Sequence, residues 1–120
     1  MLETIQKIGT TPRFSEAAIY NQTVYLSGKV SQIVDGDIQA QTADVLEQID
    51  QALERAGSDK GQLLSAQIWL KDMADYAAMN QLWDAWLDGV QAPVRACVQA
   101  PMAKEHYRIE IMVIAGMLRR

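Results

Sequence analysis

The chain of 120 residues predicts an α+β fold, a mixed six-stranded sheet with two helices on one face, in the order β-β-β-α-β-α-β-β. Three observations predict it. Segments 39–56 and 76–87 carry apolar residues at helical spacing, and a glycine follows each. Six other segments show the two-residue alternation of strands. No linker, low-complexity run or internal repeat divides the chain, so residues 1–120 read as one domain with one core.

The elements follow in order. Glu3 to Ile8 alternates as a short strand, with Ile5 fitting its face poorly. Residues 14–20 and 23–27 are two further strands, and Asn21-Gln22 between them suits a tight hairpin turn. Gly28 then marks a bulge or a close approach of two backbones. In the first helix Ala43, Leu46, Ile49, Leu53 and Ala56 form the apolar stripe, and Gly57 stops it. Residues 63–70 alternate as a strand. Asp75 is placed to cap the second helix, whose stripe is Tyr76, Met79, Trp83 and Trp86 or Leu87. Gly89 ends that helix and Pro93 prevents its continuation. Two strands close the chain. In 94–99, Val94, Ala96 and Val98 share one face, with Arg95, Cys97 and Gln99 on the other. In 107–115, Tyr107, Ile109, Ile111, Val113 and Ala115 oppose Arg108, Glu110, Met112 and Ile114. Two helices cannot cover both sides of such a sheet. The face bearing Trp69, Met112 and Ile114 is left apolar and open, which predicts an oligomer.

Composition narrows the function. With 11 Lys+Arg against 15 Asp+Glu the net charge is -4, and the only adjacent basic pair is Arg119-Arg120. Tight nucleic-acid binding needs a basic surface that displaces counterions, so it is disfavoured. Cys97 is the single cysteine, which excludes an intrachain disulfide and a cysteine-based metal site. No apolar run reaches membrane-spanning length, and the first residues lack the apolar core of a signal peptide. The expectation is a soluble cytoplasmic protein.

Arg95 is the most informative side chain, because it interrupts the apolar run Pro93-Val94-Arg95-Ala96-Cys97-Val98. A guanidinium left unpaired there would carry a large desolvation cost. It needs an acid or an anionic ligand. Glu110, in another apolar strand, could supply a structural ion pair. Alternatively Arg95 grips a substrate carboxylate through two parallel hydrogen bonds, with Glu110 as a nearby acid or base. Cys97 shares the face of Arg95 and reads either as a depressed-pKa nucleophile or as a small apolar filler. His106, the sole histidine, lies in a polar connector, which argues against a Cys–His pair. There is no glycine-rich phosphate loop, no HExxH and no carboxylate cluster with metal spacing, so neither metal nor cofactor is expected.

Pro93-Val94-Arg95-Ala96-Cys97-Val98, a short connector, then Tyr107-Arg108-Ile109-Glu110-Ile111 and Ala115 resemble the C-terminal signature of the RidA/YjgF reactive-intermediate deaminases, also called the endoribonuclease L-PSP family. The resemblance spans the chain. Ser27-Gly28 matches the family's pocket turn, Asp44 to Gly57 its first helix, and Ile68 to Asp75 with Met79-Asn80-Gln81-Leu82-Trp83 its strand and second helix. The two tryptophans of Leu82-Trp83-Asp84-Ala85-Trp86 look like a side branch. This similarity implies a chorismate-mutase-like homotrimer with clefts at the subunit boundaries. It implies that Arg95 binds the substrate carboxylate and Glu110 positions water, with Ala96, Cys97, Ser27, Gly28 and Asn80 lining the cleft. The implied reaction is hydrolysis of 2-imino acids, derived from 2-aminoacrylate and related enamines, to 2-keto acids and ammonia. One position departs from the pattern: Phe14 stands where many members carry a pocket tyrosine, and it cannot donate a hydrogen bond. The connector 100–106 suggests a hairpin between the last two strands, whereas the family fold can insert a strand between them. The competing readings are a non-catalytic binder of small carboxylates, a ribonuclease or translation inhibitor, and a holdase.

Overall fold

A computed structural model describes residues 4–118, so Glu3 of the first predicted strand and the Arg119-Arg120 pair lie outside the described residues. The first strand, β1 (Gln6–Thr10), starts later than its alternation suggests. It pairs antiparallel with β2 (Ser15–Tyr20), which turns into β3 (Thr23–Leu26). Asn21 and Gln22 both adopt positive φ, 54° and 60°, the conformation a two-residue hairpin requires if its twist is to match the strands.

A two-residue strand that the alternation does not reveal, β4 (Lys29–Val30), follows Gly28. Helix α1 (Ile38–Arg55) begins at Asp37, whose Oδ1 accepts from the Ala40 amide at 2.8 Å. It closes in a Schellman arrangement: Gly57, at φ 83°, donates to Glu54 O, and Ser58 donates to Leu53 O. Its buried stripe differs in part from the expected one. Leu46, Ile49, Leu53 and Ala56 face the core, but Ala43 is exposed and Gln41, Thr42 and Val45 are buried. Bonds to neighbouring loops, described below, allow the Gln41 amide to be enclosed there.

Strand β5 (Leu63–Leu70) leads to α2 (Tyr76–Trp86). Met79, Trp83 and Leu87 are buried, while Tyr76 is exposed and turns to the site. Asp75 occupies the cap position of α2 but makes no capping bond; its carboxylate accepts from Arg108 instead, at 3.1 and 3.3 Å. The chain ends in β6 (Val94–Gln99) and β7 (Ile109–Gly116).

The strand order is β1-β2-β3-β7-β5-β6, with β4 also paired to β7. The last two strands therefore form no hairpin. The β5 strand lies between them, parallel to β6 and antiparallel to β7. Ile68, Leu70, Ile109, Ile111 and Val113 point to the helices and are sealed from solvent. On the opposite face Met112 is exposed and Trp69 and Ile114 are half-buried, as the helix count predicts. The fold is α+β, a mixed sheet covered on one side by two helices. No helix of the described residues is long and apolar enough to cross a membrane.

Candidate active site

Register decides where the two charged strand residues go. Arg95 of β6 stands beside Ala66 of β5, and Cys97 beside Ile68, so both point to the helix side. Glu110 of β7 stands opposite Trp69 of β5 and points to the open side. Arg95 and Glu110 of one chain are on opposite faces of the sheet, and the intrachain ion pair between them does not form.

Arg95 is held by α2 instead. Its Nη1 donates to Asn80 Oδ1 at 2.8 Å, and its Nη2 donates to Tyr76 Oη at 3.1 Å. These two residues lie one helical turn apart, so one face of α2 presents both acceptors. The guanidinium carbon is 5.5 Å from the centre of the Trp83 ring and 5.8 Å from that of Tyr76, within range of cation–π attraction. All these partners are neutral. Among the described residues no carboxylate forms an ion pair with it, although Asp84 lines the same cavity with Asn80, Trp83 and Pro93, and the guanidinium has further N–H groups that can donate to an anion. Cys97 packs against the core. Burial pushes its thiol pKa up, and the Arg95 charge opposes that only in part. The thiol form dominates, which suits a filler and not a nucleophile. Ala96 points the other way, to the open face, where it borders a shallow cavity of about 340 Å³ with Arg95, Val94, Met112 and Ile114.

The second group assembles around β4. Phe14, Ser27 and Gly28 line a cavity of about 430 Å³ with Ser31, Gln48 and Tyr107. Glu110 lies directly against Gly28: a β-carbon at position 28 would collide with its Oε2. What approaches Gly28 is thus the Glu110 side chain, not the second backbone that its place in the sequence suggests. Among the described residues the Glu110 carboxylate has no hydrogen bond or ion pair. Phe14 is exposed and brings an apolar surface without a hydroxyl.

The structure accordingly divides the expected residues into two half-sites. Asn80, Arg95 and Cys97 form one, Phe14, Ser27, Gly28 and Glu110 the other, and Ala96 sits on the open face of the edge strand β6 that carries Arg95. Sequence reasoning missed Tyr76 as a partner of Arg95, because its place in the apolar stripe absorbed it. His106 stacks edge-on against Tyr107. Among the described residues no cluster of three or more His, Cys, Asp or Glu side chains could hold a metal ion.

A single mixed sheet of this order, covered on one face by two helices, is the chorismate-mutase-like fold of small α+β proteins. Within that class the chain belongs to the RidA/YjgF family: residues 4–117 match the family described as Endoribonuclease L-PSP. The chain is 44% identical to a RutC family protein of Haemophilus influenzae, covering 93% of this chain and 97% of that one. It is also 44% identical to the RutC family protein YoaB of Escherichia coli, over 95% and 99%. A crystal structure of a YjgF family member from Neisseria meningitidis superposes with a TM-score of 0.92 at 47% identity, covering 98% of both chains.

Proposed function

We propose that this protein hydrolyses 2-imino acids to 2-keto acids and ammonia at a site built from two copies of the chain. The single observation that carries the reading is that, among the described residues, the anchored guanidinium of Arg95 has no ion-paired acid and the Glu110 carboxylate no ion-paired cation, on opposite faces of one sheet. One copy's Arg95 half-site completes another's Glu110 half-site, and a closed ring of three copies repeats that contact. Val94, Val98 and Met112 supply the apolar surface such an assembly would cover.

The chemistry follows from the side chains. Arg95, oriented by Asn80 and Tyr76, binds the substrate carboxylate with charge-assisted hydrogen bonds. That anchor fixes the C=N carbon, and positioning alone supplies much of the acceleration. Glu110 accepts a proton from a water molecule as its oxygen attacks the imine carbon. The C=N bond becomes a C–N single bond as Glu110 passes that proton to nitrogen, giving a neutral carbinolamine; Glu110 then takes the hydroxyl proton and delivers it to the same nitrogen, the C–N bond breaks, and ammonia leaves as C=O forms. Cys97 and Ala96 shape the wall beside Arg95, and Phe14 packs against the substrate's side chain. The family description names a ribonuclease, but the net charge of -4 and the scattered basic residues disfavour binding to an RNA backbone.

An imine-quenching assay tests the proposal: an amino-acid oxidase or dehydratase generates the imine, and keto-acid release is followed with and without the protein. Faster release that Arg95→Lys abolishes supports the reading. A folded Arg95→Ala protein that retains the wild-type rate would end it.

A further inference from the structure

We infer that Gln41 and Asp44 of α1 are positioning residues for Glu110. This inference rests on the proposed role of Glu110 in the hydrolytic site. Helix α1 faces the core, yet Gln41 on it is fully buried. Enclosing a primary amide is costly unless its bonds are made inside, and here they are. The Gln41 Nε2 donates to His106 O at 2.7 Å and reaches Ile33 O at 3.4 Å, while its Oε1 accepts from the Arg108 amide at 2.9 Å. It therefore ties the helix to the connector two residues before Glu110.

One turn along the same face, Asp44 Oδ2 accepts from Ser31 Oγ at 3.0 Å, from the Gln32 amide at 2.9 Å and from Gln48 Nε2 at 3.1 Å. Gln48 Nε2 also donates to Val30 O at 2.9 Å. Val30 pairs with Glu110 across the β4–β7 ladder. Because β4 is only two residues long, its ladder alone is a weak support. The helix thus grips Glu110 through both adjoining segments: the 106–108 approach through Gln41, and the 30–33 wall through Asp44. The residues sit at i, i+3 and i+7, one stripe of a helix. Arg95 belongs to another strand and to α2, outside this network.

The consequence is a separation of two readouts. Gln41→Met keeps side-chain length and removes the three bonds. The expected result is a kcat for imine hydrolysis lowered about tenfold, since a small misplacement of a reacting group is enough. Pyruvate affinity, measured by calorimetry, is expected to be unchanged, because Arg95 is untouched. Asp44→Ala should act in the same way, and Asp44→Asn, which keeps an acceptor oxygen, should restore most of the rate. Ile49→Val, a core change on the same helix, controls for lost stability and should leave kcat alone. A Gln41→Met or Asp44→Ala protein, folded by circular dichroism, with the kcat of the Ile49→Val control would overturn the inference. Should the wild-type protein hydrolyse no imine, the hydrolytic reading falls on its own. Carbon-detected NMR titration of the Glu110 carboxylate then decides the positioning: a curve displaced in Gln41→Met but not in Ile49→Val upholds it, and identical curves overturn it.

Discussion

On the helix side of the sheet Ile68, Leu70, Ile109 and Ile111 are sealed from solvent, whereas on the opposite side Val94, Val98 and Met112 are 73%, 47% and 40% exposed. The first set comes from β5 and β7, the second from β6 and β7, and both are apolar. Each half-site follows the same division. Arg95 points to the covered side, where α2 lends it Asn80 and Tyr76. Glu110 points to the open side, where its own chain lends it Gly28 and little else. A half-buried cation can be organised within one chain because neutral oxygens and aromatic faces are at hand. The carboxylate stays without a cation until something else covers that face. The difference teaches that the chain completes its core by itself while its two charged strand residues stay apart, the separation on which the proposed two-copy site rests.

The largest expected effect separates the two halves. Arg95→Ala should abolish nearly all turnover and all binding of pyruvate, and Arg95→Lys most of both, since an ammonium cannot reproduce the planar fork. Glu110→Gln should keep pyruvate binding and lose turnover. Mixing the Arg95→Ala and Glu110→Gln chains before assembly sharpens the comparison. If each site draws one residue from each of two copies, random trimers recover about a quarter of the wild-type activity. A site made within one chain recovers none, and the assay of the mixture decides.

Met112→Asp addresses the open face directly. Covering an unpaired carboxylate at a subunit contact costs several kcal/mol, so the assembly should dissociate while far-ultraviolet circular dichroism stays native. Sedimentation of wild type and variant reads the outcome, and an unchanged wild-type-sized assembly for Met112→Asp would place the contact elsewhere. Gly28→Ala strikes only the Glu110 half: the new methyl displaces the carboxylate. A loss of kcat of up to about a hundredfold is expected, with pyruvate affinity kept.

Cys97→Ala should be milder. Its thiol is not ionised at neutral pH, so turnover should persist, and stability should fall by about 1 kcal/mol for the sulfur removed from the core edge. Complete loss of turnover in a folded protein would reveal a covalent step. The smallest effect is a gain. Gln22 holds φ at 60° in the hairpin, a conformation that glycine adopts without a side-chain clash. Gln22→Gly should raise stability by about 0.5–1 kcal/mol in thermal unfolding, because the relief of left-handed strain exceeds the added freedom of the unfolded chain.

Most elements were legible because their signals are local. The alternation of 63–70 and 94–99 and the stripe Leu46, Ile49, Leu53 and Ala56 come from side-chain period, which the backbone geometry of strand and helix imposes within a few residues. The turn at Asn21-Gln22 and the stop at Gly57 are equally local. Arg95 and Glu110 stood out because charge inside an apolar strand demands a reason. The sequence could not tell which partner each would meet. That depended on β5 entering between β6 and β7, which sets Arg95 and Glu110 on opposite faces and rules out their pairing within one chain. The two-residue strand β4, the buried amide of Gln41 and the turn of Tyr76 toward Arg95 were hidden for the same reason. Each is a contact between segments far apart in the chain. Hydrophobic period says that a residue lies on a face, but only packing says what that face meets.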